Sequence, residues 1–134
     1  MPDEAKKKLS LKKVAILLIL ALFIISAMLS LSPSEKIAVI EIHGVIKNPK
    51  EYLNSIKEIS EDSSVKGVIV RIDSPGGTVG SSQEIHDSLI KLSKKIPTVA
   101  SIVDIGASGG YLIACGTSYI FANAGSITGS IGVI

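Results

Sequence analysis

The residue in this sequence best suited to covalent chemistry is Ser108, which stands among small residues where an apolar run ends. Residues 98–103 form that run, Gly109 and Gly110 follow the serine, and residues 111–114 are apolar again. This order predicts a strand, a tight turn and a helix start. A helix start offers unpaired N–H groups, so a serine there can be a nucleophile whose oxyanion meets those groups. A glycine-rich packing turn would show the same pattern.

A second glycine loop follows the preceding predicted strand. It comprises residues 74–77, Ser-Pro-Gly-Gly, and it matches neither of the two common phosphate-loop spacings. Because consecutive parallel strands usually lie side by side, their following loops emerge at the same edge of the sheet. The loop can then present one backbone N–H to a carbonyl attacked by Ser108, and Gly109 can present the other. A plain turn is the alternative interpretation of this loop.

Four strands and the helices between them must position these loops. The predicted strands are residues 37–42, 65–72, 98–103 and 119–122, and helical spacing of apolar residues separates them. Ser81 and Glu84 have the spacing of a capping box at the start of the second helix. Strands separated by single helices imply right-handed crossovers, so the sequence predicts an α/β fold with a parallel sheet.

The N-terminus predicts a membrane anchor. Residues 14–31 carry no charge over 18 positions, and Lys6, Lys7, Lys8, Lys12 and Lys13 precede them. The positive-inside rule then places the N-terminus in the cytoplasm and the rest outside it, in a single-pass protein of the cell membrane. The expected organisation is a basic N-terminus (1–13), a transmembrane anchor (14–32), a linker (33–36) and the α/β domain (37–134). A cleavable signal peptide is the alternative.

Composition argues against several classes of partner. The 134 residues carry a net charge of +2 and include three Tyr, two Phe and no Trp, so a nucleic-acid partner is not expected. Cys115 is the only cysteine, which excludes an internal disulfide and a cysteine metal cluster. Its apolar neighbours favour a packing thiol over a reactive one. No metal and no cofactor is expected.

Four ordered blocks between residues 37 and 134 resemble the signal peptide peptidase A family of membrane-anchored serine proteases. The blocks are IEIHGVI (40–46), RIDSPGG (71–77), ASGGY (107–111) and ANAGSITGSIGV (122–133). The resemblance implies the Clp protease/crotonase type of fold, a ββα superhelix. It also implies that Ser108 is the nucleophile, that Gly77 and Gly109 line the oxyanion hole, and that the substrates are signal peptides and similar apolar segments. Family members assemble into rings or domes, so a homo-oligomer is expected.

The chain departs from the family in its general base. The family activates its serine with a lysine that lies well after the last block, and this sequence ends at Ile134, directly after that block. The lysines present are expected to be solvated, whereas a lysine base must be desolvated to be neutral. We therefore expect a fragment whose fold is incomplete at its C-terminus, with the base supplied by missing sequence or by a neighbouring protomer. The chain alone is expected to have little or no peptidase activity, because a serine hydroxyl without a base is a poor nucleophile.

Other interpretations are retained. His43 or His86 can join Ser108 in a Ser–His arrangement, with Asp73 or Asp104 as the orienting carboxylate. The chain can also be an inactive, membrane-tethered pseudoprotease or interaction subunit. A third possibility is a crotonase-type acyl-CoA hydratase or thioesterase on the same fold, which would not explain the anchor or the serine.

Overall fold

The computed structural model describes residues 11–30 and 34–132, and the chain divides into two compact units, Met1–Ser34 and Glu35–Ile134. The first unit contains α1 (Leu11–Ser30), a helix of 20 residues. Its apolar side chains are exposed, for example Leu18 at 60% and Phe23 at 74%. Across the described ranges, the helices lack the combination of length and apolar character needed to traverse a bilayer. The predicted helix is therefore present, but its crossing of a membrane is not confirmed.

The second unit is a parallel α/β structure. Its sheet has the order β1-β2-β3-β4, β5 pairs with β3, and every pairing is parallel. The prediction of an α/β fold with a parallel sheet is confirmed. The elements in chain order are β1 (Lys36–Ile46), α2 (Lys50–Glu61), β2 (Val65–Gly77), α3 (Val79–Ser93), β3 (Thr98–Ala107), α4 (Gly109–Ala114), β4 (Tyr119–Ala122) and β5 (Ile127–Gly129).

Side chains along each strand alternate between the two faces of the sheet. The buried side chains lie on one of these faces, and that face forms the core. The opposite face keeps apolar side chains exposed among the described residues, including Val39, Val45 and Phe121. The helices cover the first face with apolar residues at helical spacing. The buried set is Ile40, Ile42, Ile46, Val68, Val70, Ile72, Ala100 and Ile102 from the strands, and Ile56, Ile85, Leu89, Leu92 and Ile113 from the helices.

Two strands run further than the sequence pattern predicts. β2 includes the Ser-Pro-Gly-Gly stretch up to Gly77, and β3 continues to Ala107, directly before the serine. Both extensions have partners, since Gly77 pairs with Ile46 of β1 and Ala107 pairs with Gly129 of β5. The two stretches predicted as loops are thus held by the sheet itself, which fixes the backbone next to Ser108.

The pH dependence of stability is expected to include a contribution from Asp62. Its Oδ2 lies 2.7 Å from Lys36 Nζ, and its Oδ1 accepts hydrogen bonds from the Ser64 hydroxyl (2.6 Å) and amide (2.9 Å). These contacts, led by the Lys36 ammonium, hold the pKa of the Asp62 carboxyl well below its usual range. A depressed pKa in the folded state stabilises the fold above the unfolded-state pKa of about 3.9, and this stabilisation is lost as pH falls below it.

We therefore expect Asp62→Asn to be less stable than wild type near pH 7 and to approach it between about pH 4 and pH 2. Denaturant unfolding across that pH range measures the difference. Glu61→Gln, which changes the neighbouring exposed carboxyl, is the control. Parallel curves for wild type and Asp62→Asn would show that these contacts do not contribute.

Candidate active site

Ser108 occupies a strained turn between β3 and α4. Its φ of 50° and ψ of −120° lie in a region that residues with a Cβ rarely adopt. Two hydrogen bonds hold the turn: the Ser108 amide donates to Gly129 O (2.7 Å), and its carbonyl accepts from Leu112 N (2.9 Å). Hydrogen bonds to β5 and to α4 thus fix the backbone of the serine, and its side chain stays exposed.

The amides of the two glycine loops lie next to each other. Because Gly129 occupies the N–H of Ser108, the next available donor is Gly109, whose N–H in the first turn of α4 has no partner within the helix. A methyl group in place of a Gly109 α-hydrogen would lie 3.3 Å from Gly77 N. Likewise, a methyl group on Gly76 would lie 2.7 Å from Gly109 N. Such close backbone packing is possible only without side chains at these positions.

Ser74 joins the glycine loop of β2 to β1. It is fully buried, its hydroxyl donates to Gly44 O at 2.6 Å, and the same oxygen accepts from Gly76 N at 3.0 Å. It also meets α4, because a methyl group on Gly110 would lie 2.8 Å from Ser74 O. The sequence predicts Ser74 only as a loop residue. The signal in the sequence is spacing: Ser74 follows Val70 and Ile72 at intervals of two residues, which places all three on one face of a strand.

Ser74→Ala is expected to destabilise the chain by about 1–3 kcal/mol, because the buried Gly76 amide loses its acceptor. Denaturant unfolding measures the loss. Ser55→Ala is the control, since Ser55 is exposed on α2 and its hydroxyl bonds only within that helix. Its effect should stay within about 0.5 kcal/mol. Equal stability of the two variants would show that the Ser74 contacts do not hold the loop.

Ser108 lines an aliphatic cavity of about 260 Å³. Apolar walls of this kind accept an apolar side chain of a ligand, while convergent polar groups orient it. No lysine or histidine lines this cavity among the residues that the structure describes. The lining residues are Gly77, Val79, Ser82, Ser108, Gly109, Leu112, Ile131 and Gly132.

The candidate histidines lie elsewhere. His43 Nδ1 is 3.4 Å from Asp73 Oδ2, and both residues line a separate cavity of about 170 Å³ that does not include Ser108. His86 Nδ1 is 2.9 Å from Asp87 Oδ1 on α3, where the imidazole and the Gln83 amide lower the pKa of the Asp87 carboxyl. The structure therefore brings neither histidine into the cavity of Ser108.

The remaining candidate groups are at the surface. Every lysine from Lys12 onward that the structure describes is exposed, as the sequence analysis expected. Asp104 is exposed as well. Cys115, at the end of α4, is exposed too. The prediction that Cys115 is a packing thiol is wrong, because α4 ends at Ala114 and Cys115, directly after it, is exposed.

Comparison with known proteins finds similarity to a peptidase family and to proteins named as proteases. Residues 90–134 match the family described as Peptidase family S49. The chain is 51% identical over 105 residues to the Synechocystis sp. protein slr0021, whose protease name is provisional; the match covers 77% of the chain and 38% of the relative. It is 36% identical over 110 residues to Protease 4 of Haemophilus influenzae, covering 73% of the chain and 18% of the relative. The chain thus spans well under half the length of these relatives.

Solved structures share the fold. A lysine-to-alanine mutant of the membrane-bound stomatin-specific protease 1510-N, in complex with a substrate peptide, matches with a TM-score of 0.65 and 24% identity. The match covers 77% of this chain and 48% of that one. A serine-to-alanine mutant of the same protease matches with a TM-score of 0.63 and 23% identity, covering 77% and 51%. At this level of identity the likeness supports a common fold.

Proposed function

Since the chain belongs to the signal peptide peptidase A type of Peptidase family S49, we propose that it provides the nucleophile and oxyanion hole of a membrane-anchored serine endopeptidase. One observation carries this proposal. Ser108 sits in a positive-φ turn beside the amides of Gly77 and Gly109, at the edge of an aliphatic cavity. That is the arrangement acyl transfer requires: an exposed hydroxyl, main-chain donors and a binding pocket.

The proposed reaction proceeds in two steps. The Ser108 hydroxyl attacks the scissile carbonyl, and the amides of Gly77 and Gly109 donate to the oxygen as it becomes negative. The C–N bond then breaks, the amine takes a proton, and an ester to Ser108 remains. Water hydrolyses that ester and regenerates the serine. Because the Ser108 amide is bonded to Gly129, the amide of Gly109 is the donor that remains nearest to the nucleophile.

The general base in this proposal is a lysine outside the 134 residues, supplied in cis by further sequence or by a neighbouring protomer of a homo-oligomer. Two observations support this. No described lysine lines the Ser108 cavity, and every described lysine is exposed, whereas a lysine that acts as a base must be desolvated. The relatives also extend well beyond the matched region, with room for such a residue.

The proposed substrates are signal peptides and similar apolar segments. Val79, Leu112 and Ile131 give the cavity aliphatic walls, which suit an aliphatic side chain next to the cleaved bond. An extended peptide can bind beside the sheet edge and add main-chain hydrogen bonds. No cofactor takes part in the proposed reaction.

The proposed anchor is the uncharged stretch of residues 14–31. Its support is the run of lysines before it and the exposed apolar surface of α1. A reporter that is active only outside the cytoplasm should be active when fused after residue 33. The same reporter fused before residue 14 is the control and should be silent. Silence of the first fusion, or activity of the control, would contradict the proposed orientation.

The proposed function is tested with a chimera in which this chain continues into the C-terminal part of the Synechocystis relative. The chimera should cleave an apolar signal-peptide substrate, whereas the chain alone should show little turnover, because a serine hydroxyl without a base is a poor nucleophile. His43→Ala and His86→Ala should leave the chimera active. A folded chimera without activity would favour the alternative, an inactive pseudoprotease or interaction subunit.

A further inference from the structure

Ser82 on α3 is a fully buried serine with a partly redundant hydrogen bond. Its hydroxyl donates to Thr78 O at 2.9 Å, and its own amide donates to the same carbonyl at 3.1 Å. Without the Ser82 hydroxyl, Thr78 O would still accept a hydrogen bond from the Ser82 amide. The bond to Thr78 therefore does not explain why residue 82 carries a hydroxyl. The four sequence blocks that carry the family resemblance do not include Ser82.

The contacts of Ser82 with α4 suggest a different role. A methyl group on Gly109 would overlap Ser82 Oγ and would lie 3.0 Å from Ser82 Cβ. The same position is 3.3 Å from Gly77 N. Ser82 therefore packs directly against Gly109, on the side where Gly77 approaches, and it also lines the cavity next to Ser108.

We propose that Ser82 is a positioning residue that sets the spacing between the amides of Gly77 and Gly109. This inference rests on the proposed function, because spacing of the amides matters to catalysis only if they bind an oxyanion. α4 has only six residues, so its first turn depends on what it packs against. Oxyanion donors act only within about 2.7–3.1 Å of the developing charge, so a small displacement of Gly109 weakens them.

The predicted signature is a change in kcat rather than in KM. Removing the hydroxyl in Ser82→Ala leaves a gap beside Gly109, so its amide is no longer held against Gly77. Since the oxyanion exists only after attack begins, the loss falls on the chemical step. We expect kcat of the chimera to fall by about 10- to 100-fold, with KM within about twofold.

Ser88→Ala provides a matched control. Ser88 lies on the same helix, and its hydroxyl donates to Glu84 O at 2.8 Å, four residues back, as Ser82 does to Thr78 O. It does not line the Ser108 cavity. Ser88→Ala should leave kcat and KM unchanged. An unchanged kcat in Ser82→Ala, or a loss carried by KM, would overturn the proposal.

A second measurement separates this inference from the proposed function. Crystal structures of the wild-type and Ser82→Ala chimeras give the distance between Gly77 N and Gly109 N without any assay. We expect that distance to change by about 0.5 Å in Ser82→Ala, the tolerance to which catalytic groups must be held. An inactive wild-type chimera would refute the proposed function alone. An unchanged distance would refute the positioning role of Ser82, whether or not the chimera is active.

Discussion

Replacing Ser108 with alanine should lower kcat of the chimera by about 10⁶-fold, the scale of loss when a serine nucleophile is removed. The reason is that no other hydroxyl is expected to reach the scissile carbonyl from the same turn. Hydrolysis of an apolar signal-peptide substrate, followed over hours, measures the residual rate. Activity that survives at more than about one part in a thousand would show that another group is the nucleophile.

Ser108→Gly is the control that separates chemistry from folding. The φ of 50° at this position is strained for serine and alanine but not for glycine. Ser108→Gly should therefore be more stable than Ser108→Ala, by about 0.4–1 kcal/mol or more, while being equally inactive. Thermal melts of both variants show whether they are folded. A loss of activity in folded variants identifies Ser108 as the nucleophile.

Gly77→Ala should destabilise the chain by about 3 kcal/mol or more, the upper end of what overpacking causes. A methyl group at Gly77 would overlap the carbonyl of Ile46 in β1. Because this neighbour is backbone within the sheet, relief requires a shift of a paired strand. The added group would point at β1, so the expected loss comes from overlap with the sheet backbone and not from crowding of the oxyanion position. Denaturant unfolding measures the loss.

Gly80→Ala, three positions later, is the matched control. Gly80 lies in the first turn of α3, and a methyl group there would meet nothing within 4 Å. Alanine should stabilise the helix by about 0.5–1 kcal/mol, because glycine loses more freedom on folding. The same substitution is thus expected to act in opposite directions at the two sites. Similar unfolding midpoints for the two variants would contradict the close packing described for Gly77.

Short apolar runs separated by helical spacing made most of the sheet predictable from the sequence, but they did not locate the strand ends. The pattern stopped at the glycine loops because glycine, serine and proline resemble turn residues. In the structure, pairing with β1 and β5 keeps both segments extended as far as Gly77 and Ala107. The capping box at Ser81 failed for a related reason: its hydroxyl donates to Lys47 O, 34 residues away in sequence, instead of capping α3.

The alternative in which His43 assists Ser108 is not supported by the structure, and the reason is the twofold alternation of side chains along a strand. His43 and Asp73 do pair across β1 and β2, as expected of residues at one edge of the sheet. Asp73 lies between buried Ile72 and buried Ser74, so it points to the opposite face. The Asp73 carboxylate therefore lies on the other face of the sheet from Ser74, and it lines a different cavity from Ser108. The roles of Ser74 and Ser82 were missed because they depend on partners far away in sequence, which no local pattern encodes.

Covalent labelling of the chimera with an apolar peptide phosphonate tests the central claim most directly. In a diphenyl phosphonate ester of such a peptide, the nucleophilic oxygen should bond to phosphorus and displace one phenol, and peptide mapping by mass spectrometry identifies the modified residue. The account predicts one adduct per chain, on Ser108, that forms in step with loss of peptidase activity and is absent in Ser108→Ala. An adduct on any other residue, or full inactivation with Ser108 unmodified, would contradict it.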